Sequence, residues 1–213
     1  MNSVCMRCLR YLHSGIIMRR RVGVLSELLA KLIPKDVSVL DVGAGSGEIA
    51  CAVMSMRPDL TLHGLDVLVR PDTGIHIDKY DGRHLPFADD TFDFCLFVDV
   101  LHHCDEPAAL IQEAVRVSRR GIVIKDHFCE GLLDRMTLGF MDWVGNTGYG
   151  VGMTYNYLSC NEWLEAFHSC GLSVVSLCDR LSIYRFPFSI LFDRRLHFLA
   201  SLMKETGMPP HGG

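Results

Sequence analysis

Short apolar runs separated by amphipathic stretches organise this chain. Residues 22–33 place Val24, Leu25, Leu28, Leu29 and Leu32 at helical spacing with Pro34 behind them, which predicts a helix. Val37, Val39, Leu40 and Val42 follow as a β-branched, apolar run of the kind covered on both faces of a sheet. The pattern then predicts a helix over 48–56, strands over 60–67, 75–80 and 92–98, a helix over 106–119 and a strand over 121–125. Over 159–170 it predicts a helix that Ser159 caps, Glu162 locks with a capping box and Gly171 ends. Residues 172–177 and 182–186 read as the last two strands, an antiparallel hairpin. Residues 188–203, apolar with Arg194, Arg195 and His197, read as a covering helix or an interface. Strands alternating with helices predict an α/β protein with a mostly parallel sheet of seven strands, helices on both faces and an antiparallel last strand.

The chemistry starts at 39–47, read Val-Leu-Asp-Val-Gly-Ala-Gly-Ser-Gly. Gly43, Gly45 and Gly47 let backbone approach a ligand where a side chain would block it, and the free N–H groups of the next helix point back at the loop. A dinucleotide fingerprint wants G-x-G-x-x-G, but position 48 is Glu, and Asp41 and Glu48 flanking the loop suit a cationic or zwitterionic ligand better than two phosphates. The spacing resembles motif I of the class I S-adenosylmethionine-dependent methyltransferases; a nucleotide site and a plain strand-to-helix turn are the alternatives. Asp66 lies 23 residues past Gly43, at the end of the second strand, where an acid can grip both hydroxyls of a ribose. A helix cap is the alternative role.

Residues 81–93, beginning Asp81-Gly82 and continuing through Leu85-Pro86-Phe87 to an acidic turn and Phe92-Asp93, resemble the subgroup that includes the quinone C-methyltransferases. The segment Val100-Leu101-His102-His103 after the fourth strand is similar to the same subgroup. The resemblance spans residues 22–125 and implies a Rossmann-like fold, S-adenosylmethionine as cofactor (S-adenosylhomocysteine as product) and methyl transfer. It also implies that Asp81 reaches the adenine amino group, with the backbone of Gly82 against the ring. The cofactor set is then Asp41, Gly43, Ala44, Gly45, Gly47, Asp66, Val67, Asp81, Gly82 and Val98. Ligands of open α/β sheets sit at the carboxyl ends of the strands, which puts Asp41, Asp66, Val98 and Asp126-His127 on one rim.

A segment over 127–160, inserted after the fifth strand, is where this fold builds an acceptor pocket and lid; Trp143, Tyr155 and Tyr157 are its candidate substrate-binding residues, with an aromatic helix in the core as the alternative. Methyl transfer is an in-line displacement, so a base is needed only where the acceptor loses a proton. His127 is the first candidate and His103 the second; two adjacent histidines are not expected to face one site, which leaves His102 to packing or capping. No metal is expected: His102 to Asp105 are consecutive and converge poorly on one ion, and Cys5-x-x-Cys8 has no second pair. The acceptor is expected to be a small or medium-sized molecule, a lipid-like one included, its O, N or C atom open. The other readings are a nucleic-acid or protein methyltransferase, against which no N-P-P-Y or D-P-P-Y follows the fourth strand, a non-catalytic binding module and a nucleotide oxidoreductase.

The 213 residues suffice for one core, and 49% hydrophobic with 22% charged residues is globular composition. Nine scattered cysteines without a signal-like segment fit reduced thiols and a cytoplasmic protein. Five arginines before Glu27 (Arg7, Arg10, Arg19, Arg20, Arg21) leave 16 basic against 25 acidic residues in the remainder. This basic arm, residues 1–21, is expected to be a solvated helix face, with weak contact to an anionic membrane surface as the alternative and no nucleic-acid partner. The expected organisation is that arm, a methyltransferase domain over 22–205 and a flexible tail over 206–213; the oligomeric state is left open.

Overall fold

A computed structural model describes residues 15, 17–146 and 156–205. Its elements in chain order are α1 (Met18–Leu32), β1 (Ser38–Val42), α2 (Glu48–Met56), β2 (Thr61–Asp66), β3 (Ile77–Lys79) and β4 (Phe92–Val98). A 3-10 turn at Leu101–His103 leads to α3 (Pro107–Val117), β5 (Ser118–His127), α4 (Leu132–Asn146), α5 (Cys160–Ser169), β6 (Leu172–Cys178), α6 (Ser189–Phe192) and β7 (His197–Lys204). The sheet runs β3-β2-β1-β4-β5-β7-β6. The five strands from β3 to β5 are parallel, and β7 lies antiparallel between β5 and β6.

Strand alternation sorts the core into two layers. Leu40, Cys95, Phe97, Ile122, Ile124 and Phe198 face α3 and α5, where Leu110, Ala114, Trp163 and Phe167 cover them. Val39, Phe94, Leu96, Val123 and Leu199 face the other way onto Leu25 and Leu29 of α1 and Ala50 and Val53 of α2. Both faces are covered, so the strands read as unbroken apolar runs rather than alternating ones.

The same effect overturns the expected end of the chain. Residues 182–186 form no strand, and 188–203 hold only the four-residue α6 before the true last strand, β7. The run from His197 to Leu202 is buried on both faces of the sheet, and an apolar stretch of that kind has no period to separate strand from helix. The capping box on α5 is present as expected, with Glu162 N–H donating to Ser159 Oγ and Ser159 N–H to the Glu162 carboxylate. Gly171 follows it at φ 69°.

The expected boundary at 21/22 falls inside α1. Arg20 donates to the carbonyls of Ser182 and Ile183, and Arg21 pairs with Asp99, so these two arginines tie the helix to the rest of the fold instead of forming a solvated face. Cys5, Cys8, Arg7, Arg10, Tyr155 and the 206–213 tail lie outside the described residues. The cysteines among the described residues are free, and no helix of them is long and apolar enough to cross a membrane.

Candidate functional site

The loop after β1 folds back over the end of β2: the N–H groups of Gly43 and Ala44 both donate to the Leu65 carbonyl, at 2.7 and 3.1 Å. Gly43 has φ 76°, and a Cβ there would stand 2.4 Å from Cγ2 of Val100, so only glycine fits. Gly45, at φ 63°, faces open space; the only neighbour of an added Cβ is the Arg70 guanidinium, 3.8 Å away. Gly47 caps α2 from beneath the loop. Asp66 closes this structure by accepting Gly45 N–H on one carboxylate oxygen and Leu68 N–H on the other, each at 2.8 Å.

Two hollows open along the carboxyl ends of the strands. One, of about 960 Å³, runs past Asp66, Val67, Tyr80, Asp81 and Gly82. The other, of about 410 Å³, is bounded by Asp41, Ala44 and Val98 on the sheet side and by Phe140, Tyr184, Phe188 and Phe192 opposite. They share Gly43, Gly45, Arg70, Asp99 and His103, so the glycine loop is the seam between them.

The smaller hollow has a charged floor. Lys125, 1% exposed, pairs with Asp99 and lies 3.2 Å from Nδ1 of His197. Burial alone would raise the Asp99 carboxyl, but Lys125 and Arg21 outweigh it and hold it well below the usual range. Asp99 itself takes a positive φ of 57°, which aims it back at those cations. Beneath them Asp126, fully buried, accepts the Leu101 N–H at 3.1 Å and Nδ1 of His102 at 2.6 Å, tying the 3-10 turn to β5. Burial works against a charged His102, yet Asp126, and after it Asp142, push its pKa up to about 10. His127 and His103 go the other way: burial first, and then Lys125 and His102 respectively, lower their pKa values and keep both rings neutral.

The expected rim is largely present. Asp41, Val98 and His127 line the smaller hollow and Asp66 the larger, while Asp126 sits under the floor rather than on it. Asp81 lines the larger hollow, but its carboxylate already accepts the Arg83 and His84 N–H groups and meets the His84 ring.

Three expectations change. His102 and His103 both line the smaller hollow, because the 3-10 turn brings their rings together, tilted at 47° with centroids 4.0 Å apart, instead of sending them to opposite sides. Trp143 is not among its lining residues; α4 contributes Phe140, Met141, Asp142 and Val144, and the indole rests beside Phe140 with centroids 6.2 Å apart. Tyr157 is buried behind the wall, its hydroxyl donating to Asp142 and its ring stacked on His102. Arg21, Asp99, Lys125, Asp142 and His197 are the residues that sequence reasoning missed. The signal available was a lysine and an aspartate closing the apolar run of β5, since a charge that a strand buries must find a partner.

A family described as "Methyltransferase domain" matches residues 40–124. An uncharacterized methyltransferase of Mycobacterium avium (strain 104) is 33% identical over 127 residues, 55% of this chain and 45% of its own length. The chain thus spans about half the length of such relatives. An uncharacterized protein of Methanocaldococcus jannaschii is 31% identical over 153 residues, 68% of each chain. Among solved structures, an S-adenosylmethionine-dependent methyltransferase from Mesorhizobium loti superposes with a TM-score of 0.62 at 18% identity, over 84% of this chain and 96% of its own. The 1,6-didemethyltoxoflavin-N1-methyltransferase of Burkholderia thailandensis, with 1,6-didemethyltoxoflavin and S-adenosylhomocysteine bound, superposes with 0.61 at 16% identity, over 88% and 79%. At these identities the likeness is one of fold.

Proposed function

We propose that this chain, whose residues 40–124 match the methyltransferase-domain family, is a class I S-adenosylmethionine-dependent methyltransferase that methylates a small molecule held in the 410 Å³ hollow. The observation that carries the reading is the seam: two hollows that meet at Gly43, Gly45, Arg70, Asp99 and His103, which the reading takes as donor and acceptor sites. When bound, S-adenosylmethionine supplies a methyl group on a positively charged sulfur.

The residues fit that cofactor. Gly45 leaves a cradle that a Cβ would fill. Asp66 has lone pairs left for two ribose hydroxyls after accepting two backbone N–H groups. Burial, and secondarily the charge of Asp66, push the pKa of Asp41 up to about 7, and an ammonium group is the ligand that would relieve this carboxylate. Val67, Asp81 and Gly82 form the far wall, where Asp81 takes an adenine amine by releasing the His84 ring.

On the acceptor side, Phe140, Phe188 and Phe192 supply an apolar wall and the charged floor supplies orientation. A neutral His127 at that floor can accept a proton from the acceptor. The test is calorimetric titration with S-adenosylhomocysteine, using wild type and Asp66→Ala, followed by acceptor screening with wild type and His127→Ala. Binding that falls at least tenfold in Asp66→Ala, and turnover that falls about 10²-fold in His127→Ala, support the reading. A folded wild type that binds no S-adenosylhomocysteine refutes it.

A further inference from the structure

We propose that His102, His103 and Asp142 form a site for a divalent transition-metal ion, of the zinc or cobalt class, facing the acceptor hollow. One donor atom from each of the three lies within 4.8 Å of the others. Nε2 of His102 stands 3.6 Å from Oδ2 of Asp142, too long for a hydrogen bond. Two ligands at zinc bond lengths on a tetrahedral ion are about 3.4 Å apart, so this gap is of the size that an ion between them requires.

Two further observations point to a ligand. His102 is 1% exposed, and neither its Nε2 nor the buried Nδ1 of His103 has a hydrogen-bond partner, which is costly for two imidazole nitrogens beside a carboxylate. Two of the three donor groups are also held by neighbours, the Asp142 carboxylate through the same oxygen, Oδ2, that faces His102. Asp126 takes Nδ1 of His102 at 2.6 Å, which fixes the ring with Nε2 toward the hollow, and the Tyr157 hydroxyl holds Asp142. A carboxylate behind a ligating imidazole is the usual outer support of a metal site. Two carboxylates converge on one imidazole, and the metal-free protein meets them by holding His102 protonated, so an ion that binds at Nε2 takes the place of that proton.

Two other groupings of this kind occur among the described residues, His102 with Asp126 and His127, and His63 with His76 and Asp78; the first also holds an unpartnered buried nitrogen, Nδ1 of His127, but in both the carboxylate is already taken up. Asp126 already accepts from Leu101, His102 and His127, and Asp78 is already engaged by both His63 and His76.

Three protein ligands leave one position of a four-coordinate ion open, and all three residues line the smaller hollow. Resting on the methyltransferase reading, this narrows the acceptor to a molecule with an oxygen that can take the open position, such as a hydroxyl beside a carbonyl or a second hydroxyl.

The experiment is titration of metal-stripped full-length protein with Co²⁺, read by visible absorption, in wild type, His103→Ala and Asp142→Asn. Expected are one equivalent of Co²⁺ with ligand-field bands, no intense near-ultraviolet thiolate band, displacement by Zn²⁺, and at least tenfold weaker binding in each variant. No saturable spectrum in wild type overturns the proposal. So does a thiolate band, or binding unchanged in both variants, since either places the ion on the cysteines or elsewhere. Urea melts of the same variants check their folding. Titration of wild type with S-adenosylhomocysteine separates the two readings, because a failed cofactor titration with intact Co²⁺ binding counts against the methyltransferase assignment alone.

Discussion

Replacing Asp41 with Asn should stabilise the cofactor-free protein while weakening its grip on the cofactor. Asp41 is 4% exposed, and burial together with the charge of Asp66 moves its pKa from 3.8 to about 7. The folded state therefore holds this proton more tightly than the unfolded chain does, and the group costs stability as pH rises between those two values. At ~1.36 kcal/mol for each unit of pKa, the shift corresponds to about 4 kcal/mol lost by the time the pH is above 7. Asn imitates the protonated acid and does not titrate. With a urea slope of about 2 kcal/mol/M, Asp41→Asn should raise the midpoint by about 2 M near pH 8, and by little near pH 4. Affinity should move the other way, since losing a charge-assisted hydrogen bond to the cofactor ammonium costs about 1.5–3 kcal/mol, or ten- to a hundredfold. Urea melts of the cofactor-free proteins across this pH range test the first half. Calorimetry with S-adenosylhomocysteine in two buffers of different ionisation enthalpy tests the second, because binding near pH 7 should release part of a proton in wild type and none in the variant. A variant less stable than wild type at high pH, or a stability gap that does not close on acidification, refutes the reasoning.

Gly43→Ala, which puts a Cβ 2.4 Å from Cγ2 of Val100 on a backbone at φ 76°, should cost about 1–2 kcal/mol in backbone strain and at least tenfold in S-adenosylhomocysteine affinity; adding Val100→Ala should recover part of the affinity by calorimetry. Lys125→Met should destabilise by about 3 kcal/mol, because Asp99 is left with Arg21 alone, and urea melts should show the double variant with Asp99→Asn more stable than the single one. Burial and Lys125 lower the pKa of His127, so the ring loses its base form only at more acidic pH than a free imidazole, and the acid limb of a kcat/KM profile should lie below 6.5. His127→Ala should abolish that limb.

What could be read from the sequence was whatever is local. The glycine loop, the Ser159 to Glu162 capping box and the strand β4 each carry their signal within a few residues, and each appears where the pattern put it. The last strand did not, because His197 to Leu202 are buried on both faces and an apolar run without period fits either element. The charged floor was hidden for another reason. Asp99 follows β4, Lys125 lies on β5, Asp142 on α4 and His197 on β7; the parallel pairing of β4 with β5 and the antiparallel return of β7 bring the first two and His197 together, and α4 adds Asp142 to the same hollow. His102 shows the limit most clearly: its partners Asp126 and Asp142 are 24 and 40 positions away, so no local spacing distinguishes it from a packing histidine.

The seam at the glycine loop has an evolutionary consequence. Every residue lining the larger hollow lies within the 40–124 segment common to the family, whereas the smaller hollow borrows Arg21 and Val22 before that segment and Lys125, Asp142, Tyr184 and His197 after it. On the proposed reading, mutation can therefore redraw the flanking walls, and with them the choice of acceptor, while the walls of the larger hollow are inherited untouched. Among the described residues only Gly43, Gly45, Arg70, Asp99 and His103 line both hollows, so lineages that exchange one acceptor for another should diverge first in the flanks and last at these five positions.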